Sequence, residues 1–184
     1  MSVRIVTIEA CHSTQDEVRA RLAHERAGSV IAVRSRSQTA GRGRGEGRGW
    51  DDAPGASLLL SIGARGALSV DVLADLPQRV TLATRVALVA LCGRSASVIV
   101  WKPPNDLMVG DAKLGGVLID VRTTANTVDE VVIGIGVNIS SPAFVTTDGR
   151  GATSVSAIGG RVVDVDVLAH VLAEQVAGWL TPEV

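Results

Sequence analysis

The chain has 184 residues, which is enough for one domain with a sizeable core. Hydrophobic residues make up 46% of it but aromatic residues only 2%, so the core must consist of valine, leucine, isoleucine and alanine. Lysine and arginine number 18 against 19 acidic residues, which excludes a global electrostatic attraction to nucleic acid or membranes. The two cysteines, Cys11 and Cys92, lie far apart and exclude a disulfide framework or a structural zinc site.

Two absences predict the location. The N-terminal residues contain no signal-peptide hydrophobic region. The most apolar run, residues 86–92, is much shorter than the ~20 residues that span a bilayer. We therefore expect a cytoplasmic protein without membrane contacts.

The predicted elements alternate between strands and helices. A strand over residues 3–10 is followed by a helix that begins at Ser13 or Thr14 as N-cap and ends near Arg26. Further strands are predicted over 29–36, 57–63, 98–101, 107–109, 113–121 and 128–139. Further helices are predicted over 78–92, 152–158 and 165–180. This order predicts an α+β fold with a mixed, largely antiparallel central sheet and helices packed on one face.

Residues 38–50 read Gln-Thr-Ala-Gly-Arg-Gly-Arg-Gly-Glu-Gly-Arg-Gly-Trp and have no apolar period. Their glycines are unfavourable in a helix or an inner strand but allow close approach of the backbone to a ligand. Arginine offers a charged, planar fork for carboxylate or phosphate. We predict an anion-binding loop between two strands, with Arg42, Arg44 and Arg48 as donors.

Two alternatives remain for this segment: an ordinary surface loop and a nucleic-acid-binding Gly/Arg run. The second is disfavoured because apolar strands flank the segment and no aromatic residues are interleaved for base stacking. We expect no nucleic-acid partner.

Other polar or glycine-rich clusters lie along the chain, and each alone is a weak indication of function. Caps, solvated lysines, a β-bulge or room for a neighbouring helix would explain them equally well. The clusters are Ser13-Thr14, Lys102-Pro103-Pro104-Asn105-Asp106, Lys113-Leu114-Gly115-Gly116 and Gly134-Ile135-Gly136-Val137-Asn138. Together with the Gln-x-Ala-Gly-Arg-Gly-Arg loop and its closing Trp50, they resemble the catalytic domain of biotin protein ligases from about residue 5 to 180.

The resemblance implies an enzyme that attaches biotin to a lysine of a carboxyl carrier domain, using ATP and Mg²⁺. The biotin carboxylate attacks the α-phosphate to give biotinyl-5′-adenylate and pyrophosphate. The carrier lysine then attacks this anhydride and releases AMP. The alternatives are a lipoate–protein ligase, which shares fold and chemistry, and a catalytically weak protein that binds biotin or biotinyl-adenylate.

The resemblance also implies roles for particular residues. Those for biotin are Ser13, Thr14, Gln15, Gln38, Gly41, Arg42, Gly43, Arg44, Lys113, Gly115, Gly116, Gly134 and Val137. Those for the nucleotide are Arg44, Arg48, Trp50, Asn105, Lys113 and Asn138, the two asparagines also facing its metal. Catalytic roles are implied for Lys113, Arg42, Arg44 and Asp106. Lys113 would bridge the carboxylate and the α-phosphate, and Asp106 would support transfer to the carrier. No residue is assigned as a metal ligand.

The chain departs from the family pattern at several points. Glu46 stands in an arginine position and makes the loop longer and less positive. Pro103 replaces a tryptophan, and Gln15 replaces an asparagine. We expect residues 1–184 to form a single catalytic domain, without the N-terminal helix-turn-helix or C-terminal small β-barrel domains of some relatives. An exposed sheet edge would allow a homodimer.

Overall fold

The structure, a computed structural model, describes residues 3–45, 49–50, 54–68, 70–125, 127–146, 149–161 and 163–181. The strands are β1 (Arg4–Ile8), β2 (Val30–Ser35), β3 (Ser57–Leu68), β4 (Val100–Lys102), β5 (Asp106–Val109), β6 (Ala112–Thr124), β7 (Thr127–Asn138), β8 (Phe144–Val145) and β9 (Gly151–Ala152). The α-helices are α1 (Thr14–Leu22), α2 (Leu76–Cys92) and α3 (Val165–Leu180). Short 3-10 segments, Val70–Leu73 and Arg94–Val98, flank α2. None of the described helices could cross a membrane, since each is too short or too polar.

The strands form one sheet in the order β1-β2-β3-β7-β6-β5-β4. β1 runs parallel to β2, and every other pair along this path is antiparallel. β9 adds in parallel to β6, and β8 pairs with β9. The long strands β3, β7 and β6 occupy the middle of the sheet. The predicted α+β fold with a mixed, largely antiparallel sheet is therefore confirmed.

The helices lie on both faces of the sheet, whereas the sequence predicts helices on one face only. The larger apolar cluster includes residues of α2 and α3, together with Ala32 of β2. A second cluster joins Val18 and Leu22 of α1 to the two neighbours of that alanine, Ile31 and Val33. Successive side chains of a strand point to opposite faces, so continuously apolar strands need cover on both sides. The single helix α1 supplies part of the second cover.

Two local predictions differ from the structure. The first helix ends at Leu22 rather than near Arg26, and the chain turns before Gly28, whose φ of 84° suits glycine. The predicted helix over 152–158 is wrong. Its first residue belongs to β9, and the Thr153 amide donates to the Lys113 carbonyl at 2.9 Å. Pairing with the sheet therefore uses the backbone that a helix would have required.

Close packing beneath α1 depends on Gly63 of β3. A β-carbon there would lie 2.5 Å from Val18 Cγ1 and 2.9 Å from Leu22 Cδ1. We expect Gly63→Ala to lower the free energy of unfolding by ~1–3 kcal/mol, because overpacking displaces the helix. Gly178→Ala in α3 is the matched control. Nothing lies within 4 Å of its added carbon, and alanine should stabilise the helix by roughly 1 kcal/mol.

Urea denaturation measures both effects on the same scale. The two substitutions should shift the midpoint in opposite directions. A Gly63→Ala midpoint equal to or above that of the unmodified chain would contradict the packing described here.

Candidate active site

A trough crosses the middle of the sheet on the face that α1 covers in part. Its floor consists of two rows of residues paired across β3, β7 and β6. One row is Leu59–Gly136–Gly116 and the other is Ser61–Gly134–Leu118. The central residue of each row is a glycine, so no side chain from β7 fills the trough. A ligand can therefore lie directly against the backbone of the central strand.

Lys113 and Gly116 of β6 face this trough together, although regular alternation would place residues three apart on opposite faces. The register against β5 shifts here, and Leu114 is left as an extra residue on β6. This bulge turns Leu114 into the core and Lys113 towards the trough. A β-carbon at Gly116 would lie 3.3 Å from Lys113 Nζ, so the glycine also makes room for the lysine.

The Lys113 amine forms an ion pair with Asp106, the first residue of β5. Nζ lies 2.6 Å from Oδ1, and the two side chains are 23% and 22% exposed. The pair follows Pro103-Pro104, whose peptide bond is cis. Asp106 thus fixes the Lys113 amine in position. The other N–H donors of that amine stay available to an incoming anion.

The first turn of α1 closes one end of the trough with polar side chains. Thr14 donates to Gln38 Oε1 through its amide (2.7 Å) and its hydroxyl (3.1 Å), and the hydroxyl lies 2.8 Å from Ser61 Oγ. Gln15 Nε2 donates to the Leu118 carbonyl at 3.2 Å. Ser13 occupies the N-cap position without a capping hydrogen bond from its side chain, and it lines the same cavity. These buried groups can both donate and accept hydrogen bonds.

The described residues of the glycine–arginine loop, the segment 38–50, fold back over the trough. The Trp50 amide donates to the Gly41 carbonyl at 2.9 Å, and Arg42 forms a bridge with Gly49. Arg42 Nη2 also lies 2.7 Å from Asp16 Oδ1 in the first turn of α1. The described parts of the loop are therefore tied to the helix that forms the end of the trough.

The indole of Trp50 lies on the floor at Gly136. A β-carbon at that glycine would come within 2.9–3.0 Å of three indole atoms. The indole nitrogen is buried without a hydrogen-bond partner among the described residues. A buried donor without a partner is costly, so this ring position leaves a polar contact to be satisfied.

The trough is divided into two compartments that share Gly43, Arg44, Trp50, Asn105 and Lys113. The inner compartment, over the glycine floor and the start of α1, has a volume of about 50 Å³. The outer compartment has a volume of about 500 Å³ and adds Asp106 and Arg150. Asn105 Nδ2 donates to the Val117 carbonyl at 2.6 Å, which fixes the residue between the compartments.

Most of the predicted site residues come together here. From the predicted biotin set, the inner compartment is lined by Ser13, Thr14, Gln15, Gln38, Arg42, Gly43, Arg44, Lys113, Gly116 and Gly134. From the nucleotide set, Trp50 and Asn105 join Arg44 and Lys113 in both compartments. Two positions of interest, Arg48 and Glu46, lie outside the described residues.

Three predicted biotin contacts line neither compartment. Gly41 packs against Trp50 Cβ, which a β-carbon would approach to 3.0 Å. Val137 is fully buried in the larger core, on the opposite face of β7. Gly115 lies so close to β7 that a β-carbon would come within 2.7 Å of the Gly136 carbonyl oxygen. These residues hold the loop and the strands in place rather than facing the trough.

Asn138, predicted to bind the nucleotide, also lines neither compartment. Its side chain is buried, and its amide nitrogen donates to the Thr153 carbonyl at 3.0 Å. The Thr153 amide in turn donates to the Lys113 carbonyl. The structure thus gives Asn138 an indirect connection to the site, through the backbone of Lys113.

Several cavity residues were missed in the sequence. They are Leu59, Leu60, Ser61, Val117, Leu118, Ile135 and Gly136 in the inner compartment, with Gly45, Gly49, Pro104 and Arg150 in the outer one. Ser61, a serine within an apolar strand, was recognisable by its polarity. Gly136 belongs to one of the clusters that carry the resemblance, but no contact is predicted for it. Arg150 carried no local pattern.

The described residues offer neither a nucleophilic thiolate nor a preformed metal cage. Cys11 lies near the site, but burial raises the pKa of its thiol, as do Glu17 and Asp16, so the thiol stays protonated at neutral pH. Within the same described ranges, no three His, Cys, Asp or Glu side chains cluster as metal ligands. The site is suited to holding anions by fixed positive charge.

Comparisons with known proteins agree with this geometry. The chain is 29% identical to the bifunctional ligase/repressor BirA of Bacillus spizizenii over 178 residues, which cover 94% of this chain and 52% of that protein. It is 34% identical to the biotin–[acetyl-CoA-carboxylase] ligase of Paracoccus denitrificans over 101 residues, covering 53% and 42% of the two chains. The chain therefore spans about half the length of these relatives.

A solved structure shares the architecture. The biotin protein ligase from Leishmania major in complex with biotinyl-5-AMP superimposes with a TM-score of 0.77 at 30% identity, covering 97% of this chain and 76% of that one. The model of the biotin/lipoate A/B protein ligase family matches residues 8–138, which include the glycine–arginine loop, Lys113 and the glycine floor. This chain belongs to the biotin/lipoate A/B protein ligase family.

Proposed function

We propose that the chain activates biotin with ATP and transfers it to a lysine of a carboxyl carrier domain of a biotin-dependent carboxylase. The observation that carries this proposal is the position of Lys113, where a glycine-floored inner compartment meets a wider polar one. A carboxylate from one side and a triphosphate from the other would meet at its amine. The relatives named as biotin ligases support the same assignment.

Biotin rather than lipoate suits the inner end of the trough. The ureido ring of biotin carries two N–H donors and a carbonyl acceptor, and a buried polar group needs partners. Ser13, Thr14, Gln15, Gln38 and Ser61 supply hydroxyls and amides there. The dithiolane ring of lipoate is apolar and would bond to none of the donors and acceptors that these residues do not already use among themselves, at a cost of roughly 1–3 kcal/mol for each group left without a partner.

In the first half-reaction, a biotin carboxylate oxygen attacks the α-phosphorus of ATP. A new bond forms between the carboxylate oxygen and the α-phosphorus. At the same time the bond between that phosphorus and the bridging α,β-oxygen breaks, and pyrophosphate leaves with its electron pair. Two anions must approach each other, so their repulsion must be offset. Lys113, Arg42 and Arg44 provide positive charge around the meeting point, and one such fixed donor is typically worth about 3–4 kcal/mol.

Mg²⁺ enters this proposal as part of the ATP substrate. Magnesium commonly binds to substrate phosphates plus one or two protein oxygens. The outer compartment fits that arrangement, because Asn105 and Asp106 bring side-chain oxygens beside it. The side-chain nitrogen of Asn105 donates to the Val117 carbonyl, which leaves the side-chain oxygen of Asn105 available.

The inner compartment must widen to accept biotin. Its volume of about 50 Å³ is well below the ~300–1,000 Å³ of ordinary small-molecule sites. Trp50 is the side chain whose displacement would open the floor, since its indole rests on Gly136. We infer that ligand binding moves this ring and gives its nitrogen a polar partner.

In the second half-reaction, the carrier lysine must lose a proton before its amine attacks the anhydride carbonyl and AMP leaves. Asp106 lines the outer compartment, from which a protein could approach, and lies beside Lys113. We assign to Asp106 the acceptance of that proton or the orientation of the incoming amine. Homodimer formation and a cytoplasmic location stay predictions.

The chain has only two lysines, which provide a matched pair for testing the chemistry. Lys113→Ala should slow biotin-dependent ATP–pyrophosphate exchange by ~10²–10³-fold, because it removes fixed charge from the reacting phosphate. Lys102→Ala should exchange at close to the unmodified rate, since Lys102 is exposed and lines neither compartment. Equal activity of the two variants would refute the role of Lys113.

The unmodified chain separates the three candidate functions in the same assay. Exchange with biotin, and transfer of labelled biotin to a carrier domain, support the proposal. Exchange with lipoate alone would assign the chain to lipoate ligation. Tight biotin binding in calorimetry without any exchange would indicate a binding protein.

Asp106→Asn tests the second step. The variant keeps the shape of the side chain but removes its charge and its basicity. We expect transfer from preformed biotinyl-adenylate to a carrier domain to fall by ~10²-fold or more, in line with the loss of a general base. Single-turnover transfer gives this rate directly, and an unchanged rate would exclude both assigned roles.

Movement of Trp50 can be followed by its fluorescence. Biotin should change the tryptophan emission of the unmodified chain, because the indole leaves the Gly136 floor. Trp50→Phe should abolish this change while Trp101 and Trp179 still emit. Neither of those two residues lines either compartment, Trp101 donating to the Pro104 carbonyl behind the outer wall and Trp179 lying beneath Arg79. A ligand-induced change that persists in Trp50→Phe would contradict the proposed movement.

A further inference from the structure

Arg150 reaches the outer compartment from a hairpin that is attached to Lys113. The hairpin consists of β8 and β9, and Ala152 of β9 pairs with Lys113 of β6. The Thr153 amide adds a hydrogen bond to the Lys113 carbonyl. The position of Arg150 is therefore coupled through the backbone to the lysine at the centre of the site.

The backbone of Arg150 is also held locally. Its amide donates to Thr146 Oγ1 at 3.1 Å, and its carbonyl accepts from the Thr146 amide at 2.8 Å and hydroxyl at 2.9 Å. These three bonds connect the two sides of the hairpin at the compartment. Arg150 thus belongs to a hydrogen-bonded hairpin rather than to an unsupported surface segment.

Arg150 differs from the other cations in which compartment it faces. Arg44 and Lys113 line both compartments, whereas Arg150 lines the outer one only. The same outer wall includes Asp106, whose charge is partly neutralised by its ion pair with Lys113. Arg150 therefore adds a basic residue to the wall beyond the point where the carboxylate and the α-phosphate meet.

The geometry of displacement at phosphorus indicates which part of ATP lies in the outer compartment. In a displacement at phosphorus, the attacking and leaving oxygens lie roughly in line. A carboxylate that attacks from the inner compartment consequently directs the leaving pyrophosphate towards the outer one. Resting on the proposed function, we propose that Arg150 binds the β- and γ-phosphates of ATP and so acts on the first half-reaction alone. A guanidinium fork matches such phosphate oxygens.

The test compares ligands that differ only in the pyrophosphate group. α,β-Methylene-ATP retains all three phosphates but cannot be cleaved at the reacting bond, and AMP lacks the outer two. The variants are Arg150→Gln and, as a control with the same loss of charge, Arg122→Gln. Arg122 lies on β6 and is 66% exposed, outside both compartments. Calorimetry with each ligand measures binding without requiring turnover.

Arg150→Gln should weaken the binding of α,β-methylene-ATP by ~10-fold, which corresponds to about 1.4 kcal/mol. The KM for ATP should rise by a similar factor. AMP affinity, and transfer from preformed biotinyl-adenylate, should stay unchanged, because neither involves the outer phosphates. Arg122→Gln should change none of these quantities. Unchanged affinity of Arg150→Gln for α,β-methylene-ATP would overturn the inference.

Two other results would also overturn it, each in favour of a different role. An equal loss for AMP and the triphosphate analogue would place Arg150 on the α-phosphate or the nucleoside. Slower transfer from preformed adenylate would make Arg150 a contact for the carrier protein. Absence of biotin-dependent exchange in the unmodified chain would instead refute the proposed function. The comparison of α,β-methylene-ATP with AMP would still show whether Arg150 binds the outer phosphates.

Discussion

One extra residue in β6 decides which face of the sheet Lys113 occupies. Without the bulge at Leu114, strand alternation would place the lysine on the face opposite Gly116, away from the trough. With it, the amine reaches Asp106, and the carbonyl of the same lysine accepts the hydrogen bond that holds β9 to the sheet. The bulge is thus the irregularity on which the proposed phosphate chemistry and the position of the β8–β9 hairpin both depend.

The trough exists because a sheet with helices on both faces is left partly open on one of them. Two helices seal the larger core, but the nine-residue α1 covers only part of the other face. The glycines of β7 then expose backbone at the centre of the sheet, and Trp50 rests on one of them. Strands supply the floor, and the described parts of the glycine–arginine loop supply a cover over it. A covered floor suits the proposed intermediate, which must be shielded from water before it reaches the second substrate.

Local sequence patterns were sufficient for the central strands and for α2 and α3, and the family resemblance was sufficient for most residues of the inner compartment. They were insufficient where a long-range contact decides the outcome. The segment at 152–158 has polar residues that favour a helix cap, yet its backbone pairs with Lys113. The family resemblance assigns Asn138 to the nucleotide, but its side-chain amide nitrogen donates to the Thr153 carbonyl. Arg150 enters the site only through this same pairing, so no pattern near it in the chain could have indicated it.

The scarcity of lysine has a consequence for the chemical stability of the protein itself. An acyl-adenylate reacts with accessible amines, and an intermediate that escapes the trough meets the surface of this chain first. Sixteen of its eighteen basic residues are arginines, whose guanidinium groups remain protonated and are poor nucleophiles. Of the two lysines, Lys113 is paired with Asp106 in the site, which leaves Lys102 as the exposed side-chain amine. The proposed enzyme therefore takes its positive charge almost entirely from arginine, while offering its own reactive product very little to modify.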